Sequence, residues 1–343
     1  MAIIFIGKEF KFKKFLQNYI LSKYRAEKIY FFDTIDFEID ELLSKFKISL
    51  IVTNEQNYPT ISKIIATLNN DILELKDGYL IPTKTILYEK NSFLISKNEN
   101  LKNLIKVSDF IPNILIDNDK IWTIHIFNYD LETTNIFVKP IFESFNVDYT
   151  IYMNEGGWCE IKTSKMNETL LKQLKGFIPH IIVADNIFEY IILKLKERGE
   201  KISFAESCTG GLIASYFTKI SGSSNVFDGS VISYANRIKS EWLGVDDKVL
   251  ERFGAVSEEV VQQMLLGVSE ISDSDYSIAV SGVAGPTGGS EYKPVGTVFI
   301  GVTDKKEGKF YVERLQLKGD REQIQYQTMM NAVRILINFG TFL

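Results

Sequence analysis

An apolar run, Lys201-Ile-Ser-Phe204, enters the turn Ala205-Glu206-Ser207-Cys208-Thr209-Gly210-Gly211, and a helical pattern from Leu212 to Ile220 leaves it. A strand that breaks into small, hydroxyl-bearing residues and paired glycines at a helix start places a βα unit here. Such a turn exposes unpaired N–H groups and a positive dipole end, which favour a phosphate, a carboxylate or a developing oxyanion. It also brings two hydroxyls and a thiol together, so it is the first place to look for chemistry.

Glycine usage divides the chain. Of its 22 glycines, 5 fall in residues 1–185 and 17 in residues 186–343. Tight turns and loops that approach ligands therefore concentrate in the last part, and a boundary is expected near Asp185. Residues 1–115 alternate short apolar runs (Ile3–Ile6, Lys28–Phe32, Ser49–Val52) with helical spacing (Phe10–Tyr24, Thr60–Leu68). That alternation predicts an α/β domain with a largely parallel sheet. Residues 116–184 read as a small α+β module, with strands at Trp122–Phe127, Tyr149–Met153 and Trp158–Lys162 and helices at Thr133–Phe145 and Asn167–Leu174. Residues 185–343 read as a three-layer α/β domain with a mixed sheet. It opens on a helix that Asp185 can cap and Gly199 can close, includes a helix capped by Ser257, and ends on a helix started by Gly319-Asp320-Arg321.

Bulk properties exclude several classes. The 343 residues are 45% hydrophobic and 24% charged, an ordinary globular balance. A net charge of −5 gives nucleic-acid binding no bulk electrostatic support. The start, Met1-Ala-Ile-Ile-Phe-Ile-Gly7, lacks a basic n-region and reads as a strand, and no apolar run is long enough to span a bilayer. Cys159 and Cys208 are far apart and define no disulfide framework. The expectation is a cytoplasmic protein with neither a nucleic-acid nor a membrane partner.

The two histidines, His125 and His180, both precede the Gly-rich domain. A Ser-His-Asp or Cys-His site wholly inside that domain is therefore excluded, and both histidines read as structural or surface residues. No Cys/His pair has ligand spacing, so no tight zinc site is expected, while weak Mg²⁺ binding by carboxylates stays open. A hydroxyl–lysine set remains: Ser207 and Thr209, then Gly222-Ser223-Ser224, then Tyr234-Ala-Asn-Arg-Ile-Lys239. A Ser–Lys pair needs a neutral lysine, its pKa lowered by desolvation or nearby positive charge. By residue type alone, Ser223 and Ser224 read first as turn and cap residues and Lys239 as a solvated helix residue. The loop Ser281-Gly-Val-Ala-Gly-Pro-Thr-Gly-Gly289 is neither a P-loop nor a dinucleotide fingerprint. It reads equally as a flexible surface loop and as a backbone wall for a ligand. Arg321 suits a phosphate or carboxylate, or simply belongs to a capping turn. Cys208, with no histidine in its domain, reads as a small buried residue rather than a nucleophile.

From about Ile187 to Phe339 the chain resembles the C-terminal domain of the CinA family of competence/damage-inducible proteins. The resemblance is carried by Ala205-Glu-Ser-Cys-Thr-Gly-Gly211, Gly222-Ser-Ser224, Tyr234-Ala-Asn-Arg-Ile-Lys239, Gly254-Ala-Val-Ser257, Ser281-Gly-Val-Ala-Gly-Pro-Thr-Gly-Gly289, Lys293-Pro-Val-Gly-Thr297 and Gly319-Asp-Arg321, in that order. It implies hydrolysis of nicotinamide mononucleotide to nicotinate mononucleotide and ammonia, with no metal or organic cofactor. It also implies a small-molecule nucleotide as the partner and a homodimer as the assembly. The site set it implies is Ser207, Ser224, Tyr234 and Lys239. Our expectation from it is that Ser224 attacks, activated by Lys239, with Tyr234 relaying or orienting protons and Ser207 as the second choice of nucleophile. Thr209, Gly210 and Gly211 are expected to steady the oxyanion or ligand, and Gly282, Gly285 and Arg321 to hold ribose and phosphate. Residues 1–115 are expected to form a degenerate molybdopterin-binding-like domain. Where that fold carries a Gly-rich turn with paired aspartates, this chain has Thr53-Asn-Glu-Gln-Asn-Tyr-Pro-Thr60. Its associated ADP-ribose pyrophosphatase activity is therefore not expected. The alternatives to a deamidase are a non-enzymatic nucleotide-sensing scaffold and a hydrolase of another nucleotide.

Overall fold

The computed structural model describes residues 1–24, 26–35, 38–98, 100–116, 121–340 and 342. They fall into two compact units, divided after Ile121.

In chain order, the first unit holds β1 (Ala2–Ile6), α1 (Lys14–Lys23), β2 (Lys28–Phe32), α2 (Glu38–Lys45), β3 (Ile48–Thr53), α3 (Tyr58–Leu68), β4 (Leu73–Lys76), β5 (Tyr79–Pro82), β6 (Thr85–Glu89), β7 (Ser92–Lys97) and β8 (Asn100–Lys106). Every residue of β1 is buried, as a strand apolar on both faces requires when helices cover both sides of a sheet. Ile4, Ile6 and Ile51 pack with Ile61 and Ile65 of α3, while Ile3, Phe5, Leu50 and Val52 pack with Leu16 and Ile20 of α1. The sheet order is β2-β1-β3-β8-β7-β6. The first four strands are parallel, as expected, and the last two pairings are antiparallel. The strands between 73 and 106 were not anticipated. Their turns are built largely by Asp77, Asn91 and Asn98 at φ of 50°, 63° and 49°, since Asp and Asn tolerate the left-handed region. At the carboxyl end of β1 and β3, where open α/β sheets bind ligands, Asn54 donates to Glu9 at 2.7 Å and Lys106 pairs with Glu55 at 2.7 Å.

The second unit opens with β9 (Trp122–Ile126), α4 (Leu131–Ser144), β10 (Tyr149–Met153), β11 (Cys159–Thr163), α5 (Glu168–Phe177) and β12 (Ile181–Val183). These strands form an antiparallel sheet, β10-β11-β9-β12. Val138 and Phe142 of α4 and Leu170 and Leu174 of α5 pack against its Ile124, Ile126 and Ile161. His125 is buried here. Its Nδ1 accepts from the Trp158 indole at 3.1 Å, which leaves Nε2 to donate to the Ala184 carbonyl at 3.0 Å, a structural role.

The unit continues with α6 (Ile187–Arg198), β13 (Ile202–Glu206), α7 (Leu212–Thr218), β14 (Phe227–Ile232), α8 (Asn236–Leu243), α9 (Asp247–Phe253), α10 (Glu258–Ser272), β15 (Tyr276–Gly282), β16 (Thr297–Asp304), β17 (Lys309–Gln316) and α11 (Arg321–Phe339). Asn186, one residue beyond the expected Asp185, caps α6 by accepting the Phe188 and Glu189 N–H groups. The mixed sheet runs β14-β13-β15-β16-β17. Its β14, β13 and β15 are mutually parallel, and β16 and β17 are added antiparallel. Phe204, Ile278, Val280 and Ile300 face α6, α7 and α11 through Ile191, Phe217, Met329 and Val333. Ala205, Ala279 and Phe299 face α10 through Val261, Met264 and Leu265. The alternation of Phe204 and Ala205 between these two clusters is the period-2 pattern of a strand covered on both faces. The result is the expected three-layer domain.

Candidate active site

Two parallel strands set the site. Glu206, the last residue of β13, lies beside Ile232, the last of β14. The chain therefore leaves both strands at one sheet edge, which puts Ser207 next to the segment Ser233–Tyr234 that leads into α8. Lys239 lies one turn into α8 and is buried. Its Nζ donates to Ser207 Oγ at 2.9 Å and to the Ser233 carbonyl. Burial pulls the Lys239 ammonium down to about 8, against an ordinary value of roughly 10.4. A neutral amine there keeps one N–H for the Ser233 carbonyl and turns its lone pair to the Ser207 hydroxyl, the arrangement of a base beside a nucleophile.

Ser224 is elsewhere. It lies in the short Ser223–Asn225 3₁₀ turn that precedes β14, so it sits at the opposite sheet edge. A strand's length, on the order of 15 Å at ~3.3 Å per residue, separates the two edges. Ser224 is exposed, and Lys239 pairs with Ser207. The expectation of Ser224 activated by Lys239 is corrected by topology: a helix crossing between parallel strands returns the chain to the starting edge.

The turn after β13 also differs from expectation. Glu206 is fully buried. One carboxylate oxygen accepts from the Thr209 hydroxyl at 2.8 Å, Gly211 N–H at 3.0 Å and Ile213 N–H at 3.1 Å. The other accepts from Ala214 N–H at 2.9 Å and lies 3.3 Å from the Ser230 hydroxyl, whose shorter bond, 3.0 Å, runs to the Phe204 carbonyl. The Gly210 N–H donates to the Ser207 carbonyl at 3.1 Å. Thr209, Gly210 and Gly211 were expected to face an oxyanion or ligand. Instead the Thr209 hydroxyl and the Gly210 and Gly211 N–H groups are taken up inside the protein, because a carboxylate from the same chain already fills the helix start. Gly210 and Gly211, at φ of 62° and 98°, give the turn its left-handed curl.

A cavity of about 180 Å³ opens over the pair, lined among others by Ser207, Cys208, Tyr234, Lys239, Gly282 and Arg321. The 281–289 loop therefore does form a wall at Gly282. Arg321, the first residue of α11, donates to the Gly285 carbonyl at 2.7 Å and to the Tyr234 hydroxyl at 2.8 Å. Tyr234 is more than half exposed, and its hydroxyl meets Arg321 rather than Lys239 or Ser207, so it stands at the mouth of the cavity. Burial pushes the Cys208 thiol up to about 12, so it stays protonated at neutral pH and is a poor nucleophile. Among the described residues no three His, Cys, Asp or Glu side chains gather to hold a metal ion. No helix there is long and apolar enough to cross a membrane.

Residues 184–339 match the CinA C-terminal domain. The C-terminal domain of this chain belongs to the CinA family. A CinA-like protein of Thermosipho melanesiensis is 41% identical over 176 residues, covering 51% of this chain and 44% of its own length. One of Endomicrobium trichonymphae is 35% identical over 273 residues, covering 73% of this chain and 63% of its own length. A solved structure, the competence/damage inducible protein CihA of Agrobacterium tumefaciens, is 37% identical with a TM-score of 0.44, covering 45% of this chain and 93% of that one. The chain thus spans between about two fifths and two thirds of the length of these curated relatives.

Four residues of the CinA domain site were given no role by the sequence: Glu206, Ser233, Ser281 and Gln325. Ser281 is buried and donates to the Ala255 carbonyl at 2.7 Å, joining two walls of the cavity. Gln325, one turn after Arg321, donates to the Cys208 carbonyl at 2.7 Å. Glu206 carried a signal that could have been read: an acid at a strand's end, followed within five residues by Thr and two glycines, is composed to be wrapped by its own turn.

Proposed function

We propose that the CinA domain hydrolyses the amide of nicotinamide mononucleotide to nicotinate mononucleotide and ammonia, with Ser207 as nucleophile and Lys239 as its base. One observation carries the reading: a buried lysine, its ammonium destabilised to about 8, sits 2.9 Å from a serine hydroxyl in a cavity. Neutral Lys239 takes the Ser207 proton as Oγ attacks the amide carbon. The carbonyl π electrons move to oxygen and form a tetrahedral oxyanion. When this collapses, the C–N bond breaks and the nitrogen leaves as ammonia with the proton from Lys239. Water, deprotonated by the same lysine, then attacks the ester carbon; as this second intermediate collapses the C–O bond to Ser207 breaks, Oγ takes the proton back from Lys239, and the carboxylate product is released. The Cys208 and Thr209 N–H groups, at the start of the turn beside Ser207, are the donors this reading assigns to the oxyanion.

The cavity is smaller than the ~300–1,000 Å³ that usually encloses a drug-sized ligand. In this reading it takes the amide-bearing ring, and Arg321 and Tyr234 at the mouth meet ribose and phosphate. Ammonia release from nicotinamide mononucleotide by the full chain, with and without EDTA, tests the reaction. The expected result is release insensitive to EDTA. Ser207→Ala is expected to lower kcat by on the order of 10³-fold or more, and Ser224→Ala to leave it within about threefold. The opposite ranking overturns the assignment. Nucleotide binding without ammonia release is the outcome a sensing scaffold would give.

A further inference from the structure

The donors that curl around Glu206 have the form of an anion cradle, yet the anion inside belongs to the chain. Three backbone N–H groups and the Thr209 hydroxyl, all from residues 209–214, converge on one fully buried carboxylate, and the Ser230 hydroxyl on β14 shares its one proton between it and the nearer Phe204 carbonyl. A carboxylate is rarely found fully buried unless its oxygens are satisfied in this way. The same residue holds the other half of the pair. Its main-chain carbonyl accepts the Ser233 N–H at 2.7 Å, and the Ser233 carbonyl accepts from Lys239. Ser207 is the next residue in the chain, its own N–H fixed on the Val280 carbonyl at 3.1 Å.

We propose that Glu206 is a positioning residue for the reaction: its carboxylate stands where a bound anion would stand, locks the Ser207 turn against the Lys239 segment, and leaves the substrate's phosphate to Arg321. This rests on the deamidase reading. Two consequences follow from the chemistry. A glutamine at 206 presents an NH2 group to donors on one side, so part of the cradle faces a donor instead of an acceptor. An alanine empties the cradle, and a small carboxylate from solution can refill it.

The experiment measures kcat, KM and thermal unfolding for the wild type, Glu206→Gln and Glu206→Ala, each with and without formate. For Glu206→Gln, kcat is expected to fall on the order of 100-fold with KM within about threefold, the signature of a misplaced nucleophile rather than a lost binding contact. For Glu206→Ala, formate is expected to restore kcat saturably by at least about tenfold and to raise the unfolding midpoint, with neither effect on the wild type. The proposal is overturned if both variants fold and keep kcat within about threefold of wild type, or if formate stabilises Glu206→Ala without restoring turnover. If the wild type itself releases no ammonia, the deamidase reading fails separately. The rate of Ser207 modification by a fluorophosphonate then replaces turnover, with the same expected order of wild type, formate-rescued alanine variant and unrescued variant.

Discussion

At the scale of the residue, the proposed reaction turns on the charge state of Lys239. The lysine is buried on α8, where desolvation disfavours its charge. Only the neutral amine can accept the Ser207 proton. Activity, read as kcat/KM, is therefore expected to rise as pH passes through about 8 and to level off above it. The sign follows from the base form being the active one. Lys239→Arg, which stays charged throughout this range, is expected to lose the profile together with on the order of 10²–10⁴-fold of the rate. A wild-type profile flat between pH 6 and 9, or an active arginine variant, would show that Lys239 is not the base.

Among the elements, α8 and α10 govern whether Lys239 can reach its serine. Gly267 lies on the buried face of α10. A Cβ there would stand 2.0 Å from the Leu243 carbonyl oxygen at the end of α8, so the two helices meet because this position has no side chain. Gly267→Ala must push α8 outward. The expected outcome is a loss of about 1–3 kcal/mol of stability from overpacking and a fall in kcat larger than any rise in KM, since α8 carries the base and not the phosphate contact. Urea unfolding and steady-state kinetics on the same preparation check both. Unchanged stability would mean that α8 yields freely. At the start of α11, the Asp320–Gln323 capping box fixes the first turn that presents Arg321 to the cavity.

For the molecule as a whole, the two units are expected to differ in chemistry. The first has a layered α/β build, but the strand-end turns where such sheets take phosphates carry Glu9, Asn54 and the Lys106–Glu55 pair. An acid in that place repels a pyrophosphate. The full chain is expected to release ammonia from nicotinamide mononucleotide while leaving ADP-ribose intact in the presence of divalent cations. Phosphate release from ADP-ribose after coupling to a phosphatase would assign a hydrolytic site to the first unit.

Much of the layered fold was legible in the residues themselves. Period-2 and period-3.6 apolar patterns depend on neighbours in the chain, so β1, β3, β13, α10 and the capped start of α11 could be read directly. That residues singled out in the sequence come together was legible in the same way: Ser207, Tyr234, Lys239, Gly282 and Arg321 all line one cavity. Two things were not. The strands between 73 and 106 turn on Asn and Asp in left-handed conformations, which composition does not separate from ordinary polar loop. The choice between Ser207 and Ser224 was hidden because both are small hydroxyl residues beside glycines. What separates them is the sheet edge on which each falls, and that depends on the parallel register of β13 and β14. The burial that lowers the Lys239 pKa and the wrapping of Glu206 are likewise products of packing. The order of residues along the chain determines which groups are available; which of them meet, and in what charge state, is set by contacts and desolvation that exist only once the layers close.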